Sequence, residues 1–597
     1  SASVRNNKTF QLIDQLSFGK GRHFFKMGFE VRRVHLDVRN NPARERGEFI
    51  FGNREWTALE GFSGTGNIFA TFLLGLPERK IRNPGDHTSF LRATEYSAYF
   101  QDDFKVTPKL TINYGVRYQL YIPPKETRNH VSSVLPTQWP GSWAEKRHGI
   151  YLCKDPAKCA AINPLLDATK LGLTLNDVYA DRLPRVVVGG REVPRSIVDV
   201  DRTDFGPRVG LAYRLTSRTT VRSGYGIFFD TVGMNIFQDA VENMPWTLED
   251  QIKLAPFQFG VPPVMAGIGF DKDTPLLTET TPGPNSYSTD FRNSYVQHWN
   301  FGVQQQFGNN LVAEVAYAGN KGTKLNRREC YTMEPRLPSA IPSTVHPTLR
   351  MLFPFVVFDN QMVTLADWCT TSSRANSNYH SLTSRFEKRY SNGLTFLAGF
   401  TFSKAMSDAQ GFAGGSNDTG NRIQDIFNAR GERGLAPFNH QFRLVSSFLY
   451  ELPFGKGRRF GGGLGAAANH LIGGWAVNGI ASFQSGYPLT ILRSGDPLGI
   501  GLENSVRPNL TCNPNLPSGE RTLDRFYATS CFSAPAAGLF GSAGRGVVTG
   551  PGLNSWDLVL IKNTALYGER VRLQFRSEFF NAFNHPDWGM PGRSFGA

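Results

Sequence analysis

Two carboxylates stand side by side in the stretch FQDDF, as Asp102 and Asp103. Carboxylates that share one site push their pKa values apart and can serve as acid and base. Here the flanking residues alternate between apolar and polar, which is the pattern of a strand. Successive strand side chains point to opposite faces, so this pair cannot act on one substrate, and a turn-capping or rim role fits it better. Eleven His are scattered through the chain. His440 in PFNHQF and His585 in FNHP stand near strand ends, but a metal needs convergent ligands, and their spacing shows none. The chain has no GxxxxGK[ST] phosphate loop, no HExxH zinc motif and no GxSxG nucleophile elbow. GGGLGAAA (461–468) is Gly-rich but lacks the Lys and hydroxyl that hold a phosphate, and it reads as a flexible connection. The reading is therefore no enzyme, no cofactor and no metal site.

Binding chemistry remains. Arg117, Arg222, Arg385, Arg443 and Arg576 all occupy the polar phase of alternating segments. On one wall they would offer guanidinium groups to an anionic substrate, or pair with Glu30, Glu387 and Glu578 in a charge-balanced surface. The six Cys fall as Cys153 and Cys159, Cys330 and Cys369, and Cys512 and Cys531, between the periodic segments. No CxxC speaks for zinc. Disulfides are the alternative; six Cys allow fifteen connectivities, of which nearest-neighbour pairing is the simplest, and such bonds imply an oxidising compartment.

The elements that must position these residues are strands. Hydrophobic residues make up 40% of the chain and charged residues only 19%, with 46 Phe and 61 Gly among 597 residues, a composition that suits strands and turns. No apolar run is long enough for a spanning helix, although barrel strands carry a weaker signal per segment. The formal charge of +15 is compatible with nucleic acid, an anionic surface or an anionic solute. Lys and Arg are spread singly rather than clustered, which argues against nucleic acid. The chain opens SASVRNN, without Met or a signal segment, and is expected to be processed, trimmed or a fragment.

KLTINYGVRYQLYI (109–122) shows the alternation best. Leu110, Ile112, Tyr114, Val116, Tyr118 and Leu120 form one face, and Thr111, Asn113, Arg117 and Gln119 lie on the other. The pattern recurs along the chain in about fourteen strands, arranged as about seven hairpins with short turns rich in Gly, Asn, Ser or Pro. After Phe25, Met27, Phe29 and Val31 the phase slips at Arg32–Arg33 and resumes as Val34, Leu36 and Val38, which predicts a β-bulge there. The connections between hairpins are long: roughly 40–92, 123–205, 231–293, 320–377, 405–438 and 487–554. Short turns alternating with long loops are the layout of an outer-membrane barrel. Several strands are long enough to cross a membrane at a tilt, whereas soluble strands are usually shorter. The apolar face is then expected to meet lipid and the polar face a wet interior. Tyr96, Tyr121, Trp299, Trp475 and Trp556, near strand ends, are expected in interfacial girdles.

YSAYFQDDFKVTPKLTINYGVRYQLY (96–121), FGPRVGLAYRLTSRTTVRSGYGIFFD (205–230), NSYVQHWNFGVQQQF (293–307), YELPFGKGRRF (450–460), SFQSGYPLTI (482–491), GPGLNSWDLVLIKN (550–563) and LQFRSEFFNAFNHP (573–586) together resemble TonB-dependent transporters, especially the Oar-like type. GNIFATFLLGLP (66–77) is similar to the family's segment before an early barrel hairpin. The resemblance runs over nearly the whole chain. It implies an all-β fold, a transmembrane antiparallel β-barrel of 22 strands, of which about fourteen or more are here. It also implies an N-terminal plug, a TonB box and, in Oar-like members, a carboxypeptidase-regulatory-like domain; none of these is seen in 1–597. The ending SFGA suggests that a last strand is missing too. The function implied is TonB-dependent uptake of a siderophore, glycan, peptide or similar solute across the outer membrane of a Gram-negative-type bacterium. The expected partners are outer-membrane lipid, the solute and, through absent parts, the TonB complex, but no nucleic acid. A structural or adhesive surface protein is the alternative.

Overall fold

The computed structural model describes residues 4–39, 47–51, 67–75, 77, 79–82, 88–128, 187–188, 191–192, 196, 198–231, 233–234, 237, 250–253, 285–288, 290–330, 355–358, 361–364, 369–409, 423–425, 428–494, 506–536, 539–567 and 570–596. Its frame is a sheet of fourteen long strands: β1 (Val4–Lys20), β2 (His23–Arg39), β3 (Thr88–Thr107), β4 (Leu110–Glu126), β5 (Phe205–Arg214), β6 (Thr219–Asp230), β7 (Ser294–Phe307), β8 (Leu311–Cys330), β9 (Cys369–Ser391), β10 (Leu394–Ser407), β11 (Phe442–Glu451), β12 (Trp475–Gln484), β13 (Leu553–Tyr567) and β14 (Val571–Phe579). Each pairs antiparallel with its neighbour in chain order, an up-and-down meander. Two short helices stand in the connections, α1 (Ile68–Leu73) and α2 (Ala466–Ile472). Among the described residues no helix is long and apolar enough to cross a membrane. The short turns suit tight reversal: Asn392 and Gly393, between β9 and β10, both have positive φ, as the favoured two-residue hairpin turn requires.

Register separates the two faces. Phe100 lies opposite Val116, Tyr114 opposite Val209, and Val209 opposite Tyr225. Further along, Phe301, Tyr317, Leu382, Phe402 and Phe442 form a continuous row across five strands. All of these side chains are exposed. A belt of exposed large apolar residues this wide is not sustained against water, but it is what a lipid-facing wall requires. The other face carries Arg117, Asn113, Glu30 and Asp103; across the strands Arg117 donates to Glu30 and Asn113 to Asp103.

The bulge expected at Arg32–Arg33 is not formed. Strand β2 pairs with both neighbours without a register shift from His23 to Arg39. What changes there is the solvent. Below this point Phe25, Met27 and Phe29 share the face of Phe100. Above it that same face carries Arg33, His35 and Asp37, with Arg92 donating to Asp37 at 2.6 Å. Val34, Leu36 and Val38 therefore fall on the other face, where Leu36, Val38 and Leu91 form a buried cluster. The strand has left the lipid: its outer face meets water and its inner face is roofed by loops. Strands β3, β4, β8 and β9 likewise run beyond their expected ends, into segments whose sequence predicts connections.

The loops at this end build two further cores. Ala93 and Tyr121 of the polar wall pack with Val198, Phe237, Tyr287 and Phe291. Tyr121 thus belongs to the inner roof rather than to an outer girdle, because it shares the phase of Arg117 and Gln119. The last long loop makes its own core from Leu489, Ile491, Tyr527, Phe532, Ala543 and Val548. The 461–468 stretch, expected to be a flexible connection, instead leads into α2.

Candidate functional site: the polar wall and its outer cap

All five arginines singled out in the sequence project from the polar face. Arg117 donates to Glu30 Oε2 at 3.0 Å and to Ser97 Oγ at 2.7 Å, while Gln11 donates to Glu30 Oε1 at 2.6 Å. Arg385 meets Glu387 at 2.8 Å, and Arg576 meets Glu578 at 2.6 Å. Arg222 and Arg443 make no ion pair among the described residues. The five stand on β4, β6, β9, β11 and β14, and adjacent strands are about 4.8 Å apart. They therefore line a wall and do not converge on one point.

A hollow lies beside one of them, Arg385. A cavity of about 440 Å³ on the polar face is lined by Glu314, Thr383, Arg385, Thr401, Val445 and Ser447 among others. Gly399 forms its floor. Register places that glycine between Arg385 and Val445, and a Cβ added there would touch nothing within 4 Å. The hollow thus offers a guanidinium, a carboxylate and hydroxyls beside aliphatic surface.

The acidic pair divides as expected. Asp103, on the polar face, accepts from Lys26 at 2.8 Å and Asn113 at 2.6 Å. Asp102 is fully buried on the other face, held by His23 at 2.6 Å and Tyr114 at 2.8 Å. The His23 ring stacks on Phe104 with centroids 4.2 Å apart. Both carboxylates tie neighbouring strands together near the turn end. Sequence spacing gave no sign of His23, which reaches Asp102 only through the β2–β3 register. His440 is held by the Ser485 carbonyl at 2.7 Å and packs on Tyr487. The backbone N–H of His585 donates to Asn581 Oδ1 at 3.0 Å. Among the described residues no group of three or more His, Cys, Asp or Glu stands close enough to hold a metal ion. Of the girdle aromatics, Tyr96 is exposed on the lipid face. Trp299 leans on Tyr317, which bonds His380 at 2.7 Å on that face. Trp475 and Trp556 also share it by register.

The outer cap is built on satisfied polar groups. Arg507 and Glu432 are both buried and meet through two bonds of 3.0 Å. Gln424 links them, donating its backbone N–H to Glu432 and accepting that of Arg507. A disulfide joins Cys512 to Cys531. Cys330 and Cys369 stand opposite each other in the β8–β9 register, while Cys153 and Cys159 lie outside the described residues. Asp204, at the foot of β5, accepts from Asn293 at 2.5 Å, tying two loop ends. Burial, working against that amide bond, raises its carboxyl to about 6, and Asp201 adds to the rise.

A two-faced antiparallel wall, apolar outside and polar within, under a roof of folded loops, defines a membrane-spanning β-barrel protein. All 597 residues match the family described as the outer membrane beta barrel domain, and the chain belongs to it. Its place is the outer membrane of a Gram-negative-type cell. No curated protein matches. Among solved structures it is similar to the outer membrane transporter YddB from Escherichia coli, with 8% identity, a TM-score of 0.44 and coverage of 98% of this chain and 51% of that one. The ferric citrate transporter FecA gives 12%, 0.38, 98% and 50%. A mutant ferric enterobactin receptor, PfeA, from Pseudomonas aeruginosa gives 9%, 0.42, 98% and 49%. The chain spans about half the length of the solved structures it matches.

Proposed function

We propose that this chain is the barrel portion of a TonB-dependent, Oar-like importer, and that it carries a small or medium solute inward without covalent chemistry. The observation that supports this most is the pairing of a polar inner wall with loops folded over its outer end. Loop residues Val198, Phe237, Tyr287 and Phe291 pack directly on the wall residues Ala93 and Tyr121, so the loops and the wall share one buried core. Below that roof Arg222, Arg443 and the hollow beside Arg385 offer contacts to an anionic or hydroxylated solute. In such an importer, solute binds at the loops, and energy passed through TonB to a plug opens the way. The names of similar solved proteins cite ferric citrate and enterobactin; for this chain the solute class stays open among chelates, glycans and peptides.

The test uses the full gene product in an outer membrane. Uptake from a mixed metabolite pool is read by mass spectrometry with and without deletion of its TonB box. Solutes depleted only by the intact protein support energised import and name the class. Equal depletion, with the barrel confirmed at the surface, overturns import for those solutes. The adhesive reading, favoured by exposed Phe438 and Leu523, then takes its place.

A further inference from the structure

Most turns at the end opposite the cap are a few residues long, but the one joining β11 to β12 runs from 452 to 474 and is a folded unit. Phe454 and Phe460 bridge across it, with Gly455 donating to the Phe460 carbonyl at 2.9 Å and Phe460 to that of Pro453 at 2.9 Å. Asn469 of α2 accepts the Lys456 N–H at 2.6 Å, which staples the loop to the helix. Gly455 has φ +113, and an added Cβ would lie 2.8 Å from Gly473, so two glycines permit this close packing.

The unit is basic and apolar at once. It holds Lys456, Arg458 and Arg459 and no Asp or Glu. Arg458 is engaged with Glu451 at 2.7 Å, whereas Lys456 and Arg459 are exposed and make no ion pair among the described residues. Leu471 is 74% exposed, and Phe454, Phe460 and Ile472 are exposed too. Its position is set by Trp475, whose indole N–H donates to the Leu471 carbonyl at 2.9 Å. Trp475 lies on the lipid face, paired with Lys562, whose ammonium sits 5.0 Å from the ring centroid. The end of α2 therefore abuts the lipid-facing wall. Short turns mark the periplasmic side, so the unit stands at the periplasmic leaflet. The same Gly-Lys-Gly-Arg sequence forms the first turn of the sheet (19–22), with its second glycine, Gly21, at positive φ as Gly457 is here.

We propose that the 452–474 turn is a phospholipid-headgroup clamp: Lys456 and Arg459 bind the anionic phosphates of the periplasmic leaflet while Leu471 and Ile472 enter the acyl layer. The occupant follows from continuity with the lipid-facing belt and from a turn that holds no acid and carries two exposed cations, Lys456 and Arg459, without an ion pair among the described residues; the Arg459 guanidinium lies 5.4 Å from the Phe460 ring centroid. Interfacial segments bind through such a combination of buried apolar area and basic attraction, and Trp–Lys pairs anchor at the same depth.

The test uses the full chain, purified from outer membranes in mild detergent, with phosphatidylglycerol and phosphatidylcholine as probes and native mass spectrometry as the readout. The unchanged chain is expected to retain phosphatidylglycerol preferentially. Each basic side chain at an anionic surface multiplies affinity about fivefold, so K456Q/R459Q is expected to weaken phosphatidylglycerol binding roughly 30-fold. L471S/I472S lowers retention of both lipids, and R525E, a charge reversal on the outer cap, changes neither. Equal retention of the two lipids by the unchanged chain overturns the proposal. So does an undiminished preference in K456Q/R459Q, or an equal loss in R525E. Should K456Q/R459Q fail to fold, R459Q alone, expected at about fivefold, decides in its place.

Discussion

The membrane band and the outer cap use the same strands and opposite rules. In the band, β2 turns Phe25, Met27 and Phe29 outward and Lys26 and Glu30 inward; in the cap, the same unbroken strand turns Arg33, His35 and Asp37 outward and Leu36 and Val38 inward. The backbone register is continuous through the change. The hydrophobic pattern of a strand thus reports which solvent lies on each side, and a reversal of phase need not mean a bulge. Stability differs accordingly. The band relies on its continuous ladder of backbone hydrogen bonds from β1 to β14, for which lipid offers no substitute. The cap relies on dry cores and a fully engaged Arg507–Glu432 pair.

Four experiments break or sharpen this contrast. Arg507→Met removes one partner of the buried Arg507–Glu432 pair, at a cost of about 3–5 kcal/mol. The cap should open to limited proteolysis between 506 and 549 while strands β1 to β14 stay protected. Phe29→Arg places a cation in the lipid belt and should cost about 2–4 kcal/mol on urea unfolding in vesicles. Asn6→Arg, at an exposed position on the same face but above the lipid and opposite Asp37, should move that transition by no more than about 0.5 kcal/mol, and an equal effect of the two would erase the boundary drawn between them. Reducing the Cys512–Cys531 disulfide, which spans 19 residues, should loosen the cap alone by about 3 kcal/mol, read as faster hydrogen exchange in 506–536. The smallest effect is expected at Asp204. Its folded pKa of about 6 lies above the ordinary carboxylate value, so the fold favours its neutral form. The stability that Asp204 contributes is therefore full at acid pH and is lost as pH rises from about 4 through 6, because burial opposes the charged carboxylate more than the Asn293 bond supports it. Asp204→Asn should flatten that dependence, measured as thermal unfolding at pH 4.5 and 7.5; an unchanged slope would assign it to another group.

Much of the band was legible in the residues themselves. Alternation in stretches such as 109–122 marks strands, faces and turns because a period of two is a local property of the backbone. The inward phase of Arg117, Arg222, Arg385, Arg443 and Arg576 follows from the same count. The cap was not legible. Tyr121 looks like a girdle aromatic until the loops over it are seen, and Val34 to Val38 look like the far side of a bulge until the waterline is placed.

Taken alone, the sequence settled the all-β class, the lipid and lumen faces, the hairpin order and the lack of catalytic motifs, since each rests on near neighbours in the chain. Tertiary structure alone decided which wall residues the loops cover, how His23 comes to hold Asp102, that Gln424 joins Arg507 to Glu432, and that a Gly-rich connection folds into a basic, apolar unit beside Trp475. Those contacts join residues far apart in the chain. Their partners are chosen by register, burial and the surrounding solvent, none of which is written at any single position.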